Sequence, residues 1–117
     1  MVRTIAVARL ILGTEIAVQA PPNLTPEAYT TYLLAGINDW GGVSPVTRDF
    51  INPERAWPKI DELRAATADA GFVLRERLAI YPEYVRQADT FLSTGLAARV
   101  RELTGEDGLV LPEKERD

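Results

Sequence analysis

Apolar and polar residues recur along the chain with two different periods. Ile5, Ala8, Arg9 and Leu12 fall at the spacings of one helix face, and Gly13 is a fitting stop, so the pattern predicts a helix over residues 2–12. Glu-Ile-Ala-Val-Gln-Ala, residues 15–20, alternates instead. Ile16, Val18 and Ala20 share one face of a predicted strand and Ala17 and Gln19 the other, and Pro21-Pro22 ends it because neither proline can donate to a ladder. A second helix is predicted from Thr25 as N-cap, Pro26 at the first helical position and Glu27 complementing the dipole. Tyr29, Tyr32, Leu33 and Gly36 come next at i, i+3, i+4 and i+7, with Gly36 as the stop. A short extended segment runs from Ile37 to Val43, and a proline-bearing loop from Ser44 to Trp57.

Pro58 opens a third predicted helix with Ile60, Leu63, Thr67 and Ala70 inward and Gly71 as its end. Phe72 to Tyr81 is the longest strand expected. Phe72, Leu74, Glu76, Leu78 and Ile80 take one face, and Val73, Arg75, Arg77, Ala79 and Tyr81 the other. A last helix is expected from about Leu96 to Leu103, with Leu96, Val100 and Leu103 in register. Strands separated by single helices imply right-handed parallel crossovers and an α/β fold. Three parallel strands make a poor complete sheet, because both edges stay open and such sheets are normally covered on both faces. The pattern therefore predicts three consecutive βα units of a larger parallel (β/α) barrel over residues 1–111, with a C-terminal helix and a charged, frayed tail at 112–117.

Composition narrows the chemistry. At 117 residues the chain suits one small domain, with roughly 65% of the unfolded surface available for burial. Its 46% apolar and 26% charged residues are those of a globular protein rather than a disordered one. The longest apolar run, Ile5 to Leu12, is broken by Arg9 and too short for a bilayer, and no signal peptide is visible, which leads us to expect a cytoplasmic protein. The formal net charge of −4 and the scattered basic residues argue against nucleic-acid binding. There is no Cys and no His. Iron–sulfur ligation, thiolate nucleophiles, Cys/His zinc sites and a Ser-His-Asp relay are thus excluded within this chain, and no catalytic residue or metal ligand is assigned.

In parallel α/β folds ligands sit at the C-terminal ends of strands, which selects residues 19–23, 38–44 and 77–84. Asn38-Asp39-Trp40-Gly41-Gly42 has poor strand propensity. It suits hydrogen bonding to a ligand with glycines permitting close approach, and it equally suits a plain turn. Gln19 places an amide just before a rigid loop carrying Asn23, or marks a solvated strand end. Glu76 and Arg77 put charges into an apolar strand, as in a polar barrel lumen or a solvated edge. Trp40 and Trp57 are expected to be packing residues. The candidate binding residues are Gln19, Asn23, Asn38, Asp39, Gly41, Gly42, Ser44, Arg77 and Tyr81.

The order of motifs carries more than any one of them. Ala8-Arg9-Leu10-Ile11-Leu12-Gly13, IAVQAPPNL from Ile16, GINDWGGVSPVT from Gly36, NPERAWP from Asn52, Glu76-Arg77-Leu78 and YPEYV from Tyr81 together resemble the FO synthase (7,8-didemethyl-8-hydroxy-5-deazariboflavin synthase) family over residues 4–111. The APPNL and SPVT…NPExxWP stretches resemble the ring-closing activity more than its partner activity, which joins tyrosine to a ribityl-diaminouracil. The resemblance implies a radical-SAM barrel in which a [4Fe–4S] cluster on a CxxxCxxC loop cleaves S-adenosylmethionine and the radical attacks a tyrosine-derived ribityl-uracil adduct. The cysteine loop and early strands are not in this chain, which resembles the final three βα units. The implied partners are the missing N-terminal barrel half and the small-molecule substrate, with no nucleic acid and no membrane. Gln19, Asn38 and Asp39 would face cofactor or substrate, Gly41 and Gly42 would give access, and Arg77 and Tyr81 would line the last strand's end. The isolated chain is expected to bind no cluster and to self-associate or fold only loosely. The alternative is a non-catalytic α/β module used for binding or assembly.

Overall fold

The computed structural model describes residues 1–23, 26–44 and 46–113. They fall into two compact units, Met1–Leu74 and Arg75–Asp117. In the first unit, α1 (Val2–Leu12) packs on α2 (Tyr29–Ala35), which packs on α3 (Ile60–Asp69), and a 3-10 turn at Pro26–Ala28 leads into α2. The bounds of α1 are those the periodicity predicts. The expected N-cap, Thr25, lies outside the described residues, and α3 starts two residues after Pro58.

Gly36 ends α2 as expected. Its φ of +123° suits glycine, and a Cβ there would lie 2.8 Å from both Cβ and Cγ of Arg9. This close approach lets Arg9 stitch α1 to two later stretches of chain: its Nε donates to Gly36 O (2.8 Å), and its Nη1 to Gly13 O (2.6 Å) and Ile16 O (2.8 Å). The core gathers Ile5, Ala20, Tyr32, Leu33, Ile37, Trp40 and Leu63. Trp40 packs edge-on to Tyr29 (centroids 5.2 Å apart), and its indole N–H donates to Thr67 Oγ1 (3.3 Å), which in turn donates to Leu63 O (2.7 Å). Trp40 is thus a satisfied packing residue, as expected of it. Burial pushes the Tyr29 phenol above its ordinary pKa, and the nearby Glu62 and Glu27 carboxylates add to the effect.

The second unit holds α4 (Pro82–Val85), α5 (Ala88–Phe91) and α6 (Thr94–Leu103). After α6 an antiparallel bridge pairs Thr104 with Val110 around a tight turn in which Gly108 N donates to Gly105 O (3.0 Å). Gly108 has φ +77°, and a Cβ there would stand 2.7 Å from Pro82 O.

The structure corrects the α/β barrel expectation at the level of strands. Among the described residues no multi-residue strand forms. The extended segments at 15–20 and 37–43 meet in the predicted parallel sense, but only through an isolated bridge between Gln19 and Asp39. Phe72–Tyr81 is not a strand; Val73 is 82% exposed. Alternation reports which residues would fit a pleated surface, whereas a strand also needs a neighbour's ladder. The short helices α4 and α5 were not anticipated. The register of the last helix also differs: Ala97 is buried while Leu96 is 57% exposed. Of the tail, Pro112 and Glu113 are exposed and 114–117 lie outside the described residues. No helix among the described residues is long and apolar enough to cross a membrane.

Candidate functional site

The two extended segments of the first unit place most of the predicted residues. Asn38 N donates to Val18 O (3.1 Å) and Ala20 N to Asp39 O (3.2 Å). Alternation around this bridge buries Ala20 in the core, so Gln19 emerges exposed on the other face. The Asn38 side chain continues the pairing, with Oδ1 accepting from Val18 N (2.9 Å). That amide oxygen satisfies a backbone donor the bridge alone leaves open.

Asp39 folds the chain back on itself. Its Oδ1 accepts from Gly41 N (2.5 Å), an Asx-type turn, and Gly41 takes φ +75°. A Cβ on Gly41 would lie 3.3 Å from Gln19 Oε1. Gln19, Asp39 and Gly41 are thereby brought together, and the Gly41 backbone offers a surface that a side chain would obstruct. Gly42 is exposed with open space where a Cβ would stand. Ser44 Oγ accepts from Thr47 N (3.3 Å) and Thr47 Oγ1 (2.7 Å).

Asn23 is only 2% exposed. Its Nδ2 donates to Asp49 Oδ2 (3.0 Å) and Arg55 O (3.3 Å), tying the end of the first extended segment to the loop beyond Ser44. Asp49 organises that loop. Its Oδ1 accepts from Ile51 N (2.9 Å) and Asn52 N (3.1 Å), and its Oδ2 from Asn52 Nδ2 (3.4 Å) as well as Asn23. The Asn52 backbone donor, the Asn23 amide and the Ile51 donor hold its carboxyl below the ordinary aspartate value of 3.8. Asp49 is not among the residues the sequence pattern selects. Its signal is local: an Asp with N–H donors two and three residues later and then Pro53 is a turn motif.

The other two candidates belong to the second unit. The Arg77 guanidinium lies over the Tyr81 ring (4.6 Å to the centroid) and donates from Nη1 to Leu78 O (2.8 Å) and Ala79 O (3.4 Å). Among the described residues no group of three or more His, Cys, Asp or Glu is placed to hold a metal ion.

In the arrangement around Gln19 and Asp39, neutral amides and one carboxylate adjoin glycine backbone. That is suited to orienting a polar molecule by hydrogen bonds, and nothing in it is an activated nucleophile. No protein-family model and no solved structure matches the chain. Curated proteins do. It is 53% identical over 108 residues to a 7,8-didemethyl-8-hydroxy-5-deazariboflavin synthase of Methanopyrus kandleri, covering 92% of this chain and 31% of that protein. It is 52% identical over 103 residues to the FO synthase of Streptomyces avermitilis (88% and 12%), and 47% identical over 98 residues to that of Mycobacterium tuberculosis (83% and 11%). The chain spans less than a third of the length of these relatives. By sequence, the chain is a homologue of one part of those longer FO synthases.

Proposed function

We propose that this chain is the part of a radical-SAM FO synthase that supplies binding groups for deazaflavin ring closure while the cluster resides elsewhere. On this reading residues 1–111 correspond to the last three βα units of the barrel with a C-terminal helix. The observation that carries it is the 53% identity across 92% of the chain to a protein it covers by only 31%. A [4Fe–4S] cluster needs cysteine thiolates, and the sequence holds none, so its residues do not fit that group. What fits is recognition. Gln19, Asn38 and Asp39 offer hydrogen bonds, Gly41 and Gly42 let a ligand approach the backbone, and Asn23 and Ser44 shape the loop beside them. Arg77 and Tyr81, in the second unit, are assigned to the ligands of the complete enzyme. That enzyme would use S-adenosylmethionine and a tyrosine-derived ribityl-uracil adduct.

The surface of α1 supports a missing neighbour. Leu10 and Ile11 are 84% and 76% exposed, and Val7 and Leu12 are also exposed. An apolar stripe of this kind is usually covered in a finished protein. The remaining barrel half is the proposed cover, with self-association as the substitute when it is absent. The test is deazaflavin formation by a cluster-bearing barrel portion assayed with and without this chain. Product that appears only when both are present is expected. Equal product without the chain would overturn the reading and leave a binding or assembly module.

A further inference from the structure

Asn23 has one polar atom whose role the fold does not account for. Its Oδ1 is buried and accepts no hydrogen bond. A simple amide flip does not resolve this. Nδ2 already donates to two acceptors, Asp49 Oδ2 and Arg55 O, and exchanging the ends would set an oxygen against both. Asp49 is itself held rigidly by the Ile51 and Asn52 donors, so the amide orientation is built in. A buried acceptor left without a donor is destabilising, and native proteins retain few of them.

We infer that Asn23 Oδ1 is the acceptor for an uncharged hydroxyl or ring N–H of the ribityl-uracil substrate, and that Asp49 is the positioning residue that fixes the amide this way round. The inference rests on the reading that this end of the chain binds that substrate. Charge selects the ligand group. An anionic carboxylate or phosphate would face both an acceptor oxygen and the neighbouring Asp49 carboxylate. An ammonium, such as that of S-adenosylmethionine, would lose its hydration at a residue 2% exposed. A neutral hydroxyl or N–H supplies the donor without either penalty. Oδ1 has essentially no exposed surface, so the inference requires the site to open before the group reaches it.

The test uses the enzyme assembled from this chain and the cluster-bearing portion, titrated calorimetrically with the tyrosine-derived ribityl-uracil adduct and, separately, with S-adenosylmethionine. Asn23→Leu removes the acceptor, and Asp49→Asn frees the amide to turn. Each is expected to weaken binding of the adduct by about tenfold or more while leaving S-adenosylmethionine unchanged. The exchanged pair, Asn23→Asp with Asp49→Asn, restores a donor from position 49 and an acceptor at position 23 but sets a carboxylate oxygen against Arg55 O, so it should recover part of the affinity lost in Asp49→Asn. If Asn23→Leu fails to fold, the isosteric Asp49→Asn and the exchanged pair carry the test. Wild-type affinity in the single variants, equal weakening of both ligands, or an ordered water on Oδ1 in the ligand-bound crystal structure would overturn the inference alone. A wild-type assembly that binds neither molecule would overturn the proposed function with it.

Discussion

Replacing Gly36 with alanine tests how the first unit is held together. Two penalties coincide there. The backbone sits at φ +123°, where an L side chain costs about 1–3 kcal/mol. The added Cβ would also stand 2.8 Å from Arg9 Cβ and Cγ, closer than such atoms approach, so α1 and α2 must part. Parting them strains the Arg9 Nε bond to Gly36 O, whereas the bonds to Gly13 O and Ile16 O stay local to α1. The bond is partly buried, and its loss is put at about 1 kcal/mol. Gly71 is the internal control: its φ is +90°, and nothing lies within 4 Å of its would-be Cβ. Gly71→Ala should therefore show backbone strain alone, and Gly36→Ala should exceed it by about 1–2 kcal/mol. Urea unfolding monitored by circular dichroism, with midpoints compared at constant slope, measures both. In an Arg9→Ala background the excess should shrink without vanishing, because the Cγ contact and the guanidinium bond are gone while the Cβ contact stays. Equal destabilisation by the two glycine variants, or an excess undiminished by Arg9→Ala, would refute this account of the α1–α2 junction.

The same packing sets further expectations. Leu63→Ala empties a core position that is 1% exposed and should cost about 2–5 kcal/mol in the same urea assay. The Asp49 carboxyl has a depressed pKa in the folded chain, so its stabilisation is full above the ordinary value of 3.8 and is lost as pH falls through the lower folded value. The stability difference between wild type and Asp49→Asn should accordingly be flat near neutral pH and shrink only in acid; a difference that shrinks as pH rises would contradict the assignment. With Leu10 and Ile11 uncovered on α1, the isolated chain should sediment as concentration-dependent oligomers, and a strictly monomeric boundary at all concentrations would count against it.

Local signals in the sequence were legible and long-range pairing was not. Gly13 and Gly36 punctuate α1 and α2 where the periodicity stops, because a positive φ after a helix is a property of one residue and its neighbours. The parallel sense of the Gln19–Asp39 meeting is implied by helix and extended segments alternating along the chain. How far that pairing extends depends on neighbouring ladders, and no residue in Phe72–Tyr81 encodes whether a neighbour stands beside it. The α6 register misleads because Leu96 outranks Ala97 in hydropathy, while the small residue is the one that fits against the unit. For the candidate site, the places of Gln19, Asn38 and Asp39 at segment ends are enough to select them. Asn23 stands out for its position beside the prolines, but its link to Asp49 joins residues 26 apart and leaves no periodic trace. Arg9 reads as one member of a helix face, although its guanidinium reaches three carbonyls beyond it.

The proposed division of labour between this chain and a cluster-bearing portion is tested most directly by anaerobic reconstitution with iron and sulfide and then assay of 5′-deoxyadenosine released from S-adenosylmethionine. The chain alone should show no cluster absorbance and no cleavage, because its 117 residues include no Cys and no His. The chain combined with the cysteine-bearing barrel portion should show both. Cluster absorbance stoichiometric with this chain alone, or cleavage by it without the other portion, would contradict the account.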